Sequence, residues 1–129
     1  MQIKPWVLEW GVTSLSALGF KMSEPTDDPR AMDKRVEQAQ SGLISARQCE
    51  GVRDDVHITL VAWRFANQSE AGNAMLSLSQ SGLFEGTVHK MLIGPSAFFL
   101  FQQGGDAALT KRIMTAILDY NAVVEDGKG

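Results

Sequence analysis

Cysteine is nearly missing: Cys49 is the only one in 129 residues. A lone cysteine forms no internal disulfide and no cysteine-only metal site, so nothing in the chain asks for an oxidising compartment. Prolines number four and tyrosines one, and there are only two histidines, His57 and His89. No apolar run approaches the ~20 residues that a membrane-spanning helix needs. The first 20 residues are fairly apolar, but Pro5, Glu9 and Gly11 interrupt a secretory h-region. The expectation is therefore a cytoplasmic chain with no membrane association. A basic excess is also missing, with 12 Lys and Arg against 15 Asp and Glu, a net charge of −3. Phosphate neutralisation supplies most nucleic-acid affinity. The two basic steps, Lys34-Arg35 and Lys111-Arg112, each have acidic residues on the same predicted helix, so no nucleic-acid partner is expected.

What the chain does have is an ordinary globular composition, 44% hydrophobic and 21% charged, which excludes disorder and suits one domain over residues 1–129. Residues 5–13 are rich in β-formers and predict an N-terminal strand, although Trp6 and Trp10 also fit helical spacing. Asp28 followed by Pro29 caps a helix carrying Met32, Val36, Ala39 and Leu43. Leu43 to Cys49 predicts a strand, and Glu50 to Asp54 a turn. The clearest strand is 55–65, with Val56, Ile58, Leu60 and Ala62 on one face and His57, Thr59, Val61, Trp63 and Phe65 on the other. Apolar residues on both faces place it at the centre of a sheet, covered on both sides at least in part.

Asn67 or Ser69 opens a helix with Ala71, Ala74, Met75 and Leu78 on its apolar stripe, ended by Gly82. Thr87 to Ile93 and Ser96 to Gln103 form a hairpin about Gly94-Pro95. Asp106 caps a last helix, and residues 122–129 predict a flexible tail. Gln40-Ser41-Gly42-Leu43 recurs as Gln80-Ser81-Gly82-Leu83, but the helical stripes do not align at that offset and coincidence is the simpler reading.

These elements predict an α+β domain: a mostly antiparallel sheet of four to five strands with about three helices, a two-layer sandwich, with a ferredoxin-like variant first among the arrangements. In element order alone the chain is similar to small acidic dimeric secretion chaperones and to roadblock-type modules.

No residue pattern reads as catalytic, as a metal site or as a cofactor site. Arg47-Gln48-Cys49-Glu50 matches no nucleophile signature. Asp27-Asp28 and Asp54-Asp55 sit at turns, where aspartate bonds nearby amides. Gly104-Gly105-Asp106 precedes a helix but lacks a phosphate-loop lysine. The candidate ligand-binding residues are His57, Trp63, His89 and Tyr120. The candidate interface residues are Trp6, Trp10, Phe99 and Phe101, since aromatic rings on a sheet often mark contact surfaces. The leading expectation is a non-enzymatic binding or protein-interaction module that pairs as a homodimer through a sheet face or edge. The alternative is a small-molecule binder or small enzyme with its pocket between sheet and helices.

Overall fold

The structure is a computed structural model, and it describes residues 7–127. The order is α1 (Val7–Ala17), β1 (Lys21–Met22), β2 (Thr26–Asp27), two 3-10 turns (Pro29–Met32 and Lys34–Val36), α2 (Glu37–Gln40), β3 (Leu43–Arg53), β4 (Val56–Phe65), α3 (Gln68–Gln80), β5 (His89–Ile93), β6 (Ser96–Gln103) and α4 (Ala107–Gly127). The six strands make one sheet in the order β1-β3-β4-β6-β5, with β2 also pairing β3, and every pair is antiparallel. The α+β class, the antiparallel sheet and three long helices agree with the reading of the sequence.

β4 is the central strand, and its alternation fills two apolar clusters. Ile58, Leu60 and Ala62 join Leu8, Leu15, Ile113 and Ile117, so α1 and α4 close that face. Val61, Trp63 and Phe65 join Val36, Ala71, Leu78 and Phe84, so α3 and the segment before β3 close the other. All six of these β4 side chains are buried. Burying a large apolar side chain stabilises by about 1.5–3 kcal/mol.

Four local expectations are corrected. Residues 5–13 do not form a strand: from Val7 the chain is helical. Leu8, Val12 and Leu15 recur at helical spacing and bury one face on the sheet, with Gly11 against Leu60, and that packing outweighs the β preference of Trp and Val. The helix expected after Asp28 is broken into two 3-10 turns and one short α turn. Asp28 accepts from the Arg30 amide at 3.1 Å and Asp33 from the Arg35 amide at 2.8 Å, so a second cap interrupts the helix that the first one starts. The turn expected at 50–54 shrinks to Asp54-Asp55, because β3 pairs with β4 as far as Arg53, opposite Val56. Finally, α4 continues to Gly127 through most of the expected tail.

Candidate binding cleft

On the Trp63 face, the cover stops short. α3 and the segment 28–36 lie over Trp63, Phe65 and Phe99, but further along β4 the same face presents Thr59, half-buried, and His57, exposed. Cross-strand register arranges this uncovered end as two rows. Glu50, Thr59 and Phe101 lie side by side across β3, β4 and β6, and Val52, His57 and Gln103 make the next row. Together with Arg30 and the Glu85-Gly86 segment, these strands form a cleft of about 410 Å³. That is within the size range of small-ligand sites.

Each wall is held by identifiable chemistry. The Arg30 guanidinium donates to Asp28 at 2.9 Å and to Gln48 at 3.2 Å. It also sits over the ring of Phe101 at 4.9 Å and that of Phe84 at 5.6 Å. Asp28 itself is buried, and its second oxygen accepts from Trp63 Nε1 at 2.8 Å. Three donors from Trp63 and Arg30 therefore satisfy this carboxylate, as a buried charge requires. On the strands, His57 Nε2 and Glu50 Oε1 are 3.0 Å apart, both partly exposed. The loop that carries Glu85 and Gly86 hangs on Phe84, whose ring is inserted into the apolar cluster beneath. Glu50 and Glu85 line the cleft and Asp28 is paired with Arg30 beside it, three carboxylates against one guanidinium, so the cleft has an acidic balance.

Of the expected ligand residues, His57 lines the cleft and Trp63 supports it from below, buried and bonded to Asp28. His89 does not join them. Its partner on β6 is Leu100, which places it on the α1–α4 face of the sheet, opposite to His57 and separated from it by β6. There it lines a different cleft of about 690 Å³ at the start of α4, with Val88, Gly105, Asp106 and Lys111. The histidines therefore cannot act together. Tyr120 lies on α4 and Trp10 on α1, with side chains outside the described residues, and Trp6 lies wholly outside them. Of the interface candidates, Phe101 lines the cleft, whereas Phe99 is fully buried under Phe84 and offers no contact surface. The Trp63 face is covered from within over that stretch, so it is not free for a second subunit.

Cys49 points to the α1–α4 face, and burial, reinforced by the neighbouring Glu50 charge, pushes its thiol up to about 12. It stays protonated and behaves as a small apolar residue. No three His, Cys, Asp or Glu residues gather as metal ligands among the described residues, and no described helix is long and apolar enough to cross a membrane.

Reading the sequence missed Arg30, Glu50, Glu85 and the role of Asp28 beyond capping. One signal was present. On the Trp63 face β4 changes from Val61, Trp63 and Phe65 to Thr59 and His57, and β6 changes from Phe101 to Gln103, so polarity marks where the cover ends. Arg30 and Glu85 sit in connections, where no periodicity points at a partner. In comparisons with protein-family models, curated proteins and solved structures, no match to this chain was found.

Proposed function

We propose that this chain is a non-enzymatic binding module and that its recognition surface is the cleft between Arg30, His57 and Glu85. The observation that carries the reading is convergence: five separate stretches of chain place polar side chains around one concave strip of sheet that no described helix covers. Binding is favoured over catalysis by the state of its groups. Arg30 is engaged by Asp28 and Gln48, and the single thiol lies on the other face and stays protonated. The acidic balance disfavours phosphate-rich partners. A buried, protonated lone cysteine suits a reducing, cytoplasmic setting.

The test is backbone amide shift perturbation with a panel of small amines, carboxylates and sugars. At least one class should move the amides of His57, Thr59, Gly86 and Phe101 in a saturable way. Thr59→Arg, which fills the cleft floor, should abolish that response while leaving the remaining spectrum folded. Absence of a saturable response from every class, or binding that survives Thr59→Arg unchanged, would refute the reading.

A second reading, association as a homodimer, is favoured by one observation. β5 pairs only with β6 among the described residues, so its outer edge presents unpaired backbone groups. Leu92, Val88 and Leu76 are exposed beside it. Pairing of two such edges would extend the sheet across two copies. Sedimentation equilibrium is the test: a dimer that dissociates on Leu92→Lys supports it, and a monomer at high protein concentration dismisses it.

A further inference from the structure

Phe84 is unlike the other rings of its cluster. Trp63, Phe65 and Phe99 come from strands, whereas Phe84 comes from the α3–β5 connection. Its ring is nonetheless 3% exposed, stacked on Phe99 at 3.9 Å and 17° and set edge-on to Trp63 at 5.9 Å. The guanidinium of Arg30 lies over it. This is how a bound aromatic ligand is held, with one ring face stacked, one edge packed and a cation above.

The backbone around Phe84 is held locally, by the Leu83 amide donating to Ser81 Oγ at 3.1 Å and Thr87 Oγ1 donating to the Phe84 carbonyl at 3.0 Å. Its connection is bounded by Gly82 at φ +85° and Gly86 at φ +89°, and open space surrounds the position of a Cβ at Gly86. The backbone bonds inside it are long, 3.4 Å from the Glu85 amide to the Gly82 carbonyl and 3.3 Å from the Thr87 amide to the Phe84 carbonyl. Two glycines free of side-chain constraint let such a segment swing about its ends. Glu85 and Gly86 are also a wall of the cleft, so withdrawal of Phe84 would join the cleft to the slot its ring occupies.

We infer that the cleft continues inward into the Phe84 slot, and that its ligand is a compact aromatic amine. Its ring replaces Phe84 between Phe99 and Trp63 under Arg30, and its ammonium group remains in the outer cleft with Glu50 and Glu85. This deepens the binding reading and rests on it. The amine follows from charge: Asp28 already offsets Arg30, which leaves Glu85 and the His57-bonded Glu50 to meet the ligand and repel an anion. Phe84 acts as an internal competitor, so apparent affinity is reduced by the fraction of molecules in which its ring is out.

The experiment uses the Trp6→Phe, Trp10→Phe double variant, in which Trp63 is the one tryptophan left of three. It is titrated with phenylethylamine, butylamine and phenylacetate, following Trp63 emission and backbone amide shifts. Phenylethylamine should change Trp63 emission saturably and move the Gly82–Thr87 amides, with butylamine and phenylacetate at least about tenfold weaker. Phe84→Leu, which keeps most of the apolar volume but lacks the ring, should bind phenylethylamine several-fold more tightly. Shifts confined to His57, Thr59 and Gln103, with Trp63 and the Phe84 loop unmoved, overturn the slot and leave the cleft reading standing. Phenylacetate binding as tightly as phenylethylamine overturns the amine assignment. If no probe binds, the inference fails, and the wider panel decides the cleft reading separately. The titration with Phe84 in place decides the outcome even where Phe84→Leu does not fold.

Discussion

Asp28 does three things with one carboxylate. It holds the segment before β3 to the Trp63 indole on β4, fixes Arg30 beside the cleft, and caps the first 3-10 turn. Removal leaves the Trp63 N–H buried without its acceptor and Arg30 without its counter-charge. Asp28→Ala should therefore destabilise by about 3 kcal/mol, with Asn in its place costing less because one acceptor remains. Urea unfolding checks this, and a loss under about 1 kcal/mol would show that the carboxylate does not hold the segment. Asp33 repeats the motif on the surface. Hydrogen bonds from Arg35 hold its carboxyl below the ordinary range, so this small contribution is present at neutral pH and lost as acid protonates it. Cys49 runs the opposite way. Its folded value, about 12, stands above the ordinary 9.0, so the folded state favours the thiol. That contribution is complete below the unfolded value and is lost as pH rises from about 9 toward about 12. Iodoacetamide at mildly alkaline pH should leave Cys49 unmodified in the folded protein and modify it rapidly in urea; fast labelling without denaturant would contradict its burial.

Strands were easier to read than the pieces between them. β4 and β6 were legible because apolar residues on both faces admit only a covered strand, and α3 because Ala71, Ala74 and Leu78 keep helical period behind an Asn67 cap. α1 was not legible, because Trp6, Leu8, Trp10 and Val12 satisfy a period of two while Leu8, Val12 and Leu15 satisfy a helix, and only the sheet beneath decides. The cleft was legible in part. His57 and Phe101 fall on strands whose faces can be assigned, but Arg30, Glu50 and Glu85 reach it through turn geometry and register that the sequence does not encode locally. Connections can still be tested as elements. Gly104 joins β6 to α4 at φ +81°, and a Cβ there would meet the Asp55 carbonyl at 2.8 Å. Gly94 turns the β5–β6 hairpin at φ +58° with open space around it. Alanine should cost about 3 kcal/mol at Gly104 and about 1 kcal/mol at Gly94, since both suffer the backbone strain but only Gly104 suffers the collision. Equal losses in urea midpoint would remove the collision from the account.

Across the whole molecule, β4 is the shared wall of both apolar clusters and has a hydrogen-bonded strand on each side. Its amides should exchange with solvent most slowly, near the rate set by global unfolding, while those of β5 at the sheet edge exchange through local opening. Hydrogen exchange resolved by residue tests this; β5 protection equal to that of β4 in a monomer would mean that the edge is closed by something else. The two clusters also differ in how far apart their parts lie in the chain. The Trp63 cluster closes with residues 36–99, but the other joins Leu8 and Leu15 to Ile113 and Ile117. During synthesis α1 is made well before α4, the helix it packs against. Until α4 leaves the ribosome, α1, Phe98 and Leu100 have an exposed apolar face with no mate, so the need for chaperone protection is greatest in the interval between the synthesis of β6 and that of α4.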